Sequence, residues 1–384
     1  MGFLTRKLLP VIMLSLLLAG AASVQPATGY AGQPTVRVGI WREVDNLMVG
    51  AGSEFDLLNN NDGQVIKHFS AAEKAVISST KNGLVINGKS YAAVRSILVR
   101  PKSEGDGSYI EVNKQHYRGK VEIHPTTGKN GLTAVNILPL EQYLYGTIGR
   151  EISAGWPLEA VKAQAVAARS FALHNLNKYQ DDGYDLCATT NCQVYGGLDG
   201  ETLTGNQAVN ATTGVVMLYN SEPIAAYYHS SSGGYTEDSE NVWGATLPYL
   251  RGVADFDQAS PYYKWQKKFT LPELETILNN NGYKIGFLSA IELSPLPKPP
   301  AESSSDRGVS GRVKYLTLIG SQGSVRLTGT KLRSLLALNS TLFDIQAVSP
   351  TINSDEFEIT DSNGDRAKKS VAINLPPVPE RGFL

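Results

Sequence analysis

Residues 156–178 read WPLEAVKAQAVAARSFALHNLNK, and the rest of the fold is read outward from that run. Pro157 suits the first helical position, where its missing N–H costs nothing, and Glu159 puts a negative charge in the first turn. Alanines at 160, 163, 165, 167, 168 and 172 favour helix and keep it slim, so neighbours can approach its backbone. The pattern predicts one long helix from Pro157 to Lys178. Arg169 is its only charge between Ala163 and Phe171.

Upstream the period changes. Residues 138–146 (LPLEQYLYG) predict a short helix with a proline near its start. Residues 34–137 read as strands. Thr35 to Trp41 alternates and is rich in β-branched side chains. Asp62-Gly63, Asn82-Gly83, Asn87-Gly88 and Asn130-Gly131 are turn pairs. Between them lie β runs at 93–100, which Pro101 ends for want of an N–H, and at 109–112 and 119–123.

Downstream comes a loop with Cys187 and Cys192, a polar helix at 201–213, strands at 214–218 and 224–228, and a Gly/Ser loop from Ser230 to Gly234. Residues 294–312 are rich in Pro and Ser and read as a surface excursion. Strands at 312–318 and 323–327, a helix at 330–338 and a strand at 343–345 follow. Residues 349–384 read as a polar, then Pro-rich tail. The expected class is α+β: a β-rich N-terminal region (34–137), then a mixed core (138–348) with an Ala-rich helix and a substrate cleft, closed by C-terminal strands.

Composition narrows the chemistry. The 384 residues carry 35 Lys+Arg against 36 Asp+Glu, a net charge of −1, which gives no case for nucleic-acid binding. Two cysteines are too few for a disulfide framework. Arg6 and Lys7 precede the apolar run 8–18 and the small residues Ala19 to Ala22, the pattern of a signal peptide over residues 1–31. The expectation is an exported protein that meets a membrane only through an uncleaved leader. No Gly-rich phosphate cradle is present in the sequence.

Three segments carry chemistry, each with a plainer reading beside it. Glu151 stands before the Ala-rich helix; it is either a partly buried proton donor or a helix-end surface acid. Arg169 is either a ligand contact or a solvent-facing helix residue. Tyr228 to Glu237 (YHSSSGGYTE) offers hydroxyls and glycines for a polyhydroxylated ligand, or is a flexible loop.

Taken together, LPLEQYLYGTIGREI, WPLEAVKAQAVAARSFAL, CATTNCQVYGG and AYYHSSSGGYTEDSENVWG resemble the SpoIID/LytB family, as does the distal RVKYLTLIG…VRLTG…LRSLLALNSTLFDI. The resemblance runs from about Thr35 to Ile345. That family includes a sporulation lytic transglycosylase acting on peptidoglycan glycan strands and an enhancer of a cell-wall amidase. It implies that Glu151 is the catalytic acid/base. Arg169, Ser230, Ser232 and Thr236 would orient the sugar or its lactyl group. His229, Tyr195 and Trp243 would pack on sugar faces or support the loop, and Gln193, Gly233 and Gly234 would shape the cleft. No second carboxylate stands out; Glu237 and Glu240 are the nearest candidates. Glu151-Ile152-Ser153 departs from the family's Glu-Met-Pro, and Asn191 stands where many members have His. Some relatives bind zinc near the Cys pair. Here no cofactor or metal is expected, and an oxidising exterior favours a small-loop Cys187–Cys192 disulfide. The expected partners are peptidoglycan strands and a cell-wall amidase. The alternative to an enzyme is a non-catalytic wall-binding enhancer of an N-acetylmuramoyl-L-alanine amidase.

Overall fold

Strand Thr35–Val44 buries Val36 and Val38 completely, as its alternation requires. The computed structural model describes residues 26–27, 34–103, 105, 108–348 and 356–360. The expected leader, apart from Pro26–Ala27, and most of the expected tail lie outside the described residues. Within the tail region, Glu356–Thr360 is a strand. The chain divides into two compact units, at Tyr227/Tyr228.

In the first unit Thr35–Val44 pairs antiparallel with Leu132–Pro139 and parallel with Leu186–Cys187. The sheet continues through Lys120–Pro125, Ile97–Pro101, Phe55–Asn59 and Val65–Phe69, making seven strands among the described residues. Asp45 alone separates Thr35–Val44 from Asn46–Ala51, a strand of a second, six-stranded sheet. The Asn87-Gly88 turn pair is used as expected. Ile86 opposes Lys89, and both turn residues take positive φ (48° and 80°), as the two-residue hairpin demands. At the neighbouring hairpin Thr80 opposes Gly83, so Lys81-Asn82 makes the turn instead.

Helix α1 spans Leu140–Glu151, α2 spans Leu158–His174 and α3 spans Leu203–Ala211. The first is longer than its sequence pattern predicts and ends on Glu151. The second stops short of Lys178: Asn175 donates back to Phe171 and Ala172, and Asn177 turns left-handed at φ 64°. The slimness of α2 is used as expected, with Ala165, Ala168 and Ala172 fully buried. The expected second strand at 224–228 is not in a ladder; Val216–Tyr219 pairs instead with Glu222–Pro223.

The expected boundary at 137/138 is not where the chain divides. Leu132–Pro139 runs straight into α1. Leu140, Tyr143, Leu144 and Ile148 of α1 and Val161 and Ala165 of α2 share one apolar core with Val36, Val38, Ile97 and Val121. Strands and helices therefore bury one another's faces, and residues 138–348 are split between two units.

The second unit holds the sheet Leu288–Glu292, Tyr315–Gly320, Gly323–Thr328. Helix α4 is the short Ser239–Trp243, α5 is Leu271–Asn280 and α6 is Gly329–Leu336. Leu274 and Leu278 of α5, with Leu332 and Leu336 of α6, pack in one core with Ile291, Leu316, Leu318 and Leu327 of the sheet. The patterning assigned no element between 254 and 293. Yet α5 opens with a capping box, Thr270 Oγ1 accepting from Glu273 N–H while Glu273 accepts from Thr270 N–H. The excursion 294–312 is pinned rather than loose. Arg307 is 1% exposed and donates to the carbonyls of Ser294, Gly311 and Phe343 and to Asp344.

Candidate active site

Two glycines on α1 create the setting of Glu151. Gly146 and Gly149 are one turn apart and face the loop 195–200. A Cβ at Gly146 would lie 2.5 Å from the Gly197 carbonyl, and one at Gly149 would strike the Gly200 carbonyl. Without side chains there, the loop lies against the helix backbone, and Gly196 N–H donates to the Gly146 carbonyl at 3.0 Å. Arg150 adds a hydrogen bond to the Asp199 carbonyl at 3.2 Å. The segment just before this loop then reaches the end of α1, where Val194 N–H donates to Glu151 Oε1 at 2.6 Å. Glu151 is half-buried. The chain leaves α1 directly after it, Ile152 being extended at φ −137° and ψ 143°.

Gln193 and Tyr195 flank Val194 but point inward. Gln193 is 1% exposed, accepts from Tyr143 Oη at 3.1 Å and donates to the Ala168 carbonyl. Tyr195 donates from its Oη to Asn136 Oδ1 at 2.7 Å, and burial raises its phenol well above the ordinary value. The structure thus gives both side chains interior roles, with Tyr195 supporting the loop, one of its two expected roles. They fix the segment that carries the Val194 N–H.

Arg169 is likewise interior. Its guanidinium is 1% exposed and meets Glu141 of α1 at two points, Nε to Oε1 at 2.9 Å and Nη2 to Oε2 at 2.7 Å. It also donates to the carbonyls of Val209 and Val215. The side chain expected to orient substrate instead ties α1, α2 and the end of α3 together. Its sequence signal was a lone charge in an apolar run. Glu141, the same signal in α1, was missed as its partner.

The cysteine loop holds two thiols in the structure rather than the expected disulfide. Cys187 N–H donates to Cys192 Sγ at 3.0 Å, and Cys187 Sγ lies 3.5 Å from Thr189 Oγ1. Hydrogen bonding from Cys192 outweighs desolvation and holds the Cys187 thiol down to about 5, while Cys192 is pushed up. Among the described residues no three His, Cys, Asp or Glu side chains converge as a metal site. His174 is turned to the Pro223 carbonyl at 2.8 Å.

In the second unit the serine-glycine loop wraps a carboxylate that sequence reasoning missed. Asp257 accepts from the hydroxyls of Ser231 and Ser232 and from the N–H groups of Gly233 (3.0 Å) and Gly234 (2.8 Å). Gly233 and Gly234 take positive φ, 71° and 97°, which aims both N–H groups at the acid. Burial raises the Asp257 pKa, but these donors outweigh it and hold it below the ordinary value. Arg312 fastens the loop by donating to the carbonyls of Ser232 and Tyr235. Ser232, Gly233 and Gly234 are thereby engaged internally, while Ser230 and His229 keep exposed edges. Desolvation and the charge of Arg312 lower the His229 imidazole pKa. Thr236 Oγ1 accepts from Val253 N–H at 2.8 Å, and Trp243 is 55% exposed. Neither of the two nearest candidates for a second carboxylate is idle. Glu237 accepts from Val309, Ser310 and Asn241, and Glu240 pairs with Arg251.

Comparison with known proteins follows this division. Residues 128–219 match the family described as Stage II sporulation protein, SpoIID. Residues 238–361 match a domain of unknown function, DUF8618. The loop from His229 to Thr236 falls between the two matches, and the distal blocks at 312–345 fall inside the second. Stage II sporulation protein D of Bacillus subtilis is 32% identical over 235 residues, 57% of this chain and 64% of its own length. The amidase enhancer of Bacillus subtilis is 36% identical over 190 residues, 50% of this chain and 25% of its own. An uncharacterized protein of Brachyspira hyodysenteriae is 31% identical over 233 residues, 59% of this chain and 62% of its own. The chain spans less than two thirds of the length of each of these relatives. Glu151, its glycine-backed loop and the Ala-rich helix all lie inside the first match, so it is residues 128–219 that carry the similarity to the SpoIID/LytB family.

Proposed function

We propose that this is an exported peptidoglycan-remodelling protein, a lytic transglycosylase that cleaves between MurNAc and GlcNAc with Glu151 as its acid and base. The observation that carries the reading is the Val194 N–H on Glu151 Oε1. An N–H only donates, so Oε1 is the acceptor and Oε2 is the oxygen assigned here to carry the acidic proton. A single fixed carboxyl is what this reaction needs. The Oε2 proton goes to the glycosidic oxygen as the bond to C1 of MurNAc breaks. The 6-hydroxyl of the same MurNAc attacks C1 and returns its proton to Glu151. The product is a 1,6-anhydro end, no water is consumed, and the acid is regenerated. Hydrolysis by two carboxylates would need a second acid, and Glu237 and Glu240 are engaged elsewhere.

The second reading is a wall-binding enhancer of an N-acetylmuramoyl-L-alanine amidase. What favours it is the interior placement of Arg169, the side chain expected to orient the sugar. One of the relatives is named an amidase enhancer. No described helix is long and apolar enough to cross a membrane. Mass spectrometry of purified, peptide-free glycan strands after incubation separates the readings. Anhydro ends support the enzyme. Intact strands, with a purified amidase accelerated by the protein, support the enhancer.

A further inference from the structure

The sheet of the second unit has one face in the core and one outside. Ile291, Leu316, Leu318 and Leu327 point inward to α5 and α6. On the other face the register sets Glu292 opposite Thr317 and Thr317 opposite Arg326, so an acid, a hydroxyl and a guanidinium form one row across three strands. Two strand spacings put the ends of that row about 10 Å apart. Tyr315, two residues before Thr317, is 41% exposed, and the Arg326 guanidinium lies over its ring at 4.5 Å from the centroid.

This face is the floor of a groove of about 680 Å³. Its wall includes Ser294, Pro295, Ser305 and Asp306. The wall is built firmly. Asp306 accepts from Ser294 N–H and Ser304 Oγ, both at 2.6 Å, and buried Arg307 holds the same segment from below. The volume lies in the range of small-ligand pockets, about 300–1,000 Å³. Its lining is mixed: the Tyr315 ring, the Arg326 cation, the carboxylates of Glu292 and Asp306, and hydroxyls.

We propose that this groove binds a wall glycan, a stretch of amino sugar bearing carboxylates, separately from the Glu151 site. Arg326, held flat by Tyr315, takes the lactyl carboxylate of a muramic acid residue, since a guanidinium presents two parallel N–H groups to a carboxylate. Glu292 accepts from sugar hydroxyl or acetamido N–H groups one residue along, and the exposed part of the Tyr315 ring lies against a pyranose face. The choice of a wall glycan as occupant rests on the function proposed above. The effect is to hold the protein on long strands without any part in the bond cleavage.

The test uses full-length protein and the peptide-free tetrasaccharide (GlcNAc-MurNAc)₂, with chitotetraose and a free stem peptide as the other arms. Binding is followed by calorimetry in the Glu151→Gln background, so that no cleavage intervenes. Tyr315→Ala and Arg326→Gln both alter exposed side chains. Each is expected to weaken retention on peptide-free sacculi about tenfold. Arg326→Gln is expected to remove the preference for the muramic glycan over chitotetraose. Cleavage of short soluble glycans by the otherwise wild-type protein is expected to stay unchanged. Wild-type retention and preference in both variants would overturn the proposal, as would a groove that takes only the stem peptide. These readouts do not use cleavage, so an inactive wild type would count against the Glu151 chemistry while leaving the groove result to be read by itself.

Discussion

Arg169 and Glu141 close on each other through two parallel hydrogen bonds in the interior, at 2.9 and 2.7 Å, with 1% and 7% of their surfaces exposed. Removing one member leaves a buried charge without its partner, at a cost of about 3–5 kcal/mol. Arg169→Met should therefore lower the denaturation midpoint strongly. Glu141→Leu combined with Arg169→Met should recover much of that loss, because no lone charge remains. Urea denaturation of the two single variants and the double variant checks this. A fully stable Arg169→Met protein would show the pair to be dispensable.

The glycines of α1 make a second prediction. Gly149→Ala places a methyl group into the Gly200 carbonyl, which must move. The expected destabilisation is about 1–3 kcal/mol, as for other overpacked sites. The loop that delivers the Val194 N–H should move with it, so activity should fall further than stability does. An alanine elsewhere on α1, Gln142→Ala, serves as the comparison for stability.

The thiols predict a pH dependence of the reduced protein. Cys187 is lowered to about 5 and Cys192 is raised. A depressed acid contributes stability that is complete above its unfolded value, about 8.5 for a thiol, and is lost as pH falls through the folded value. Cys187 should therefore make the reduced fold more stable as pH rises from about 5 to the thiol range. Cys192, still protonated in the fold, works the other way above that range. Cys187 is the more buried of the two, so faster modification of Cys187 than of Cys192 by iodoacetamide at neutral pH, read by peptide mass spectrometry, would report its thiolate. Equal labelling of both would contradict the asymmetry. The sequence-based expectation of a disulfide is checked on protein isolated without reductant, as a mass lower by two hydrogens.

Asp257 organises the serine-glycine loop through four donors. Asp257→Asn sets an amide N–H₂ against some of those donors. Losing hydrogen bonds to a charged group costs about 1.5–3 kcal/mol each. Protease cleavage around residues 229–236 should rise sharply. Because the Asp257 pKa is lowered, its contribution is present above the ordinary carboxylate range and is lost as pH falls below it. The wild-type loop should open to protease in acid.

The helix-forming power of the Ala-rich run and the strand alternation before it were legible, because both are local patterns. The place of Glu151 just before α2 was legible, while the role proposed for it came from the resemblance. What could not be read was long-range pairing. Arg169 looks the same in sequence whether it faces sugar or Glu141, twenty-eight positions away. The serines looked like ligand donors because Asp257, their acceptor, lies beyond Trp243 with no motif of its own. The unit boundary was missed for the same reason: strands and helices of residues 34–227 share a core that neither shows alone. The capping box at Thr270 and Glu273 was a local signal that went unused.

Glu151→Gln is the most direct test of the central claim. The substitution keeps side-chain volume and can keep an acceptor for the Val194 N–H, but it cannot carry the proton. Loss of general acid/base catalysis costs about 10²–10⁴-fold in rate. The measurement is the yield of 1,6-anhydro ends from peptide-free glycan strands, by mass spectrometry, for wild type and variant at equal folded concentration. The account predicts anhydro ends from the wild type, a loss of that size in the variant, and nearly unchanged binding to sacculi. Anhydro ends formed equally by both proteins, or by neither while both stimulate an amidase alike, would contradict it.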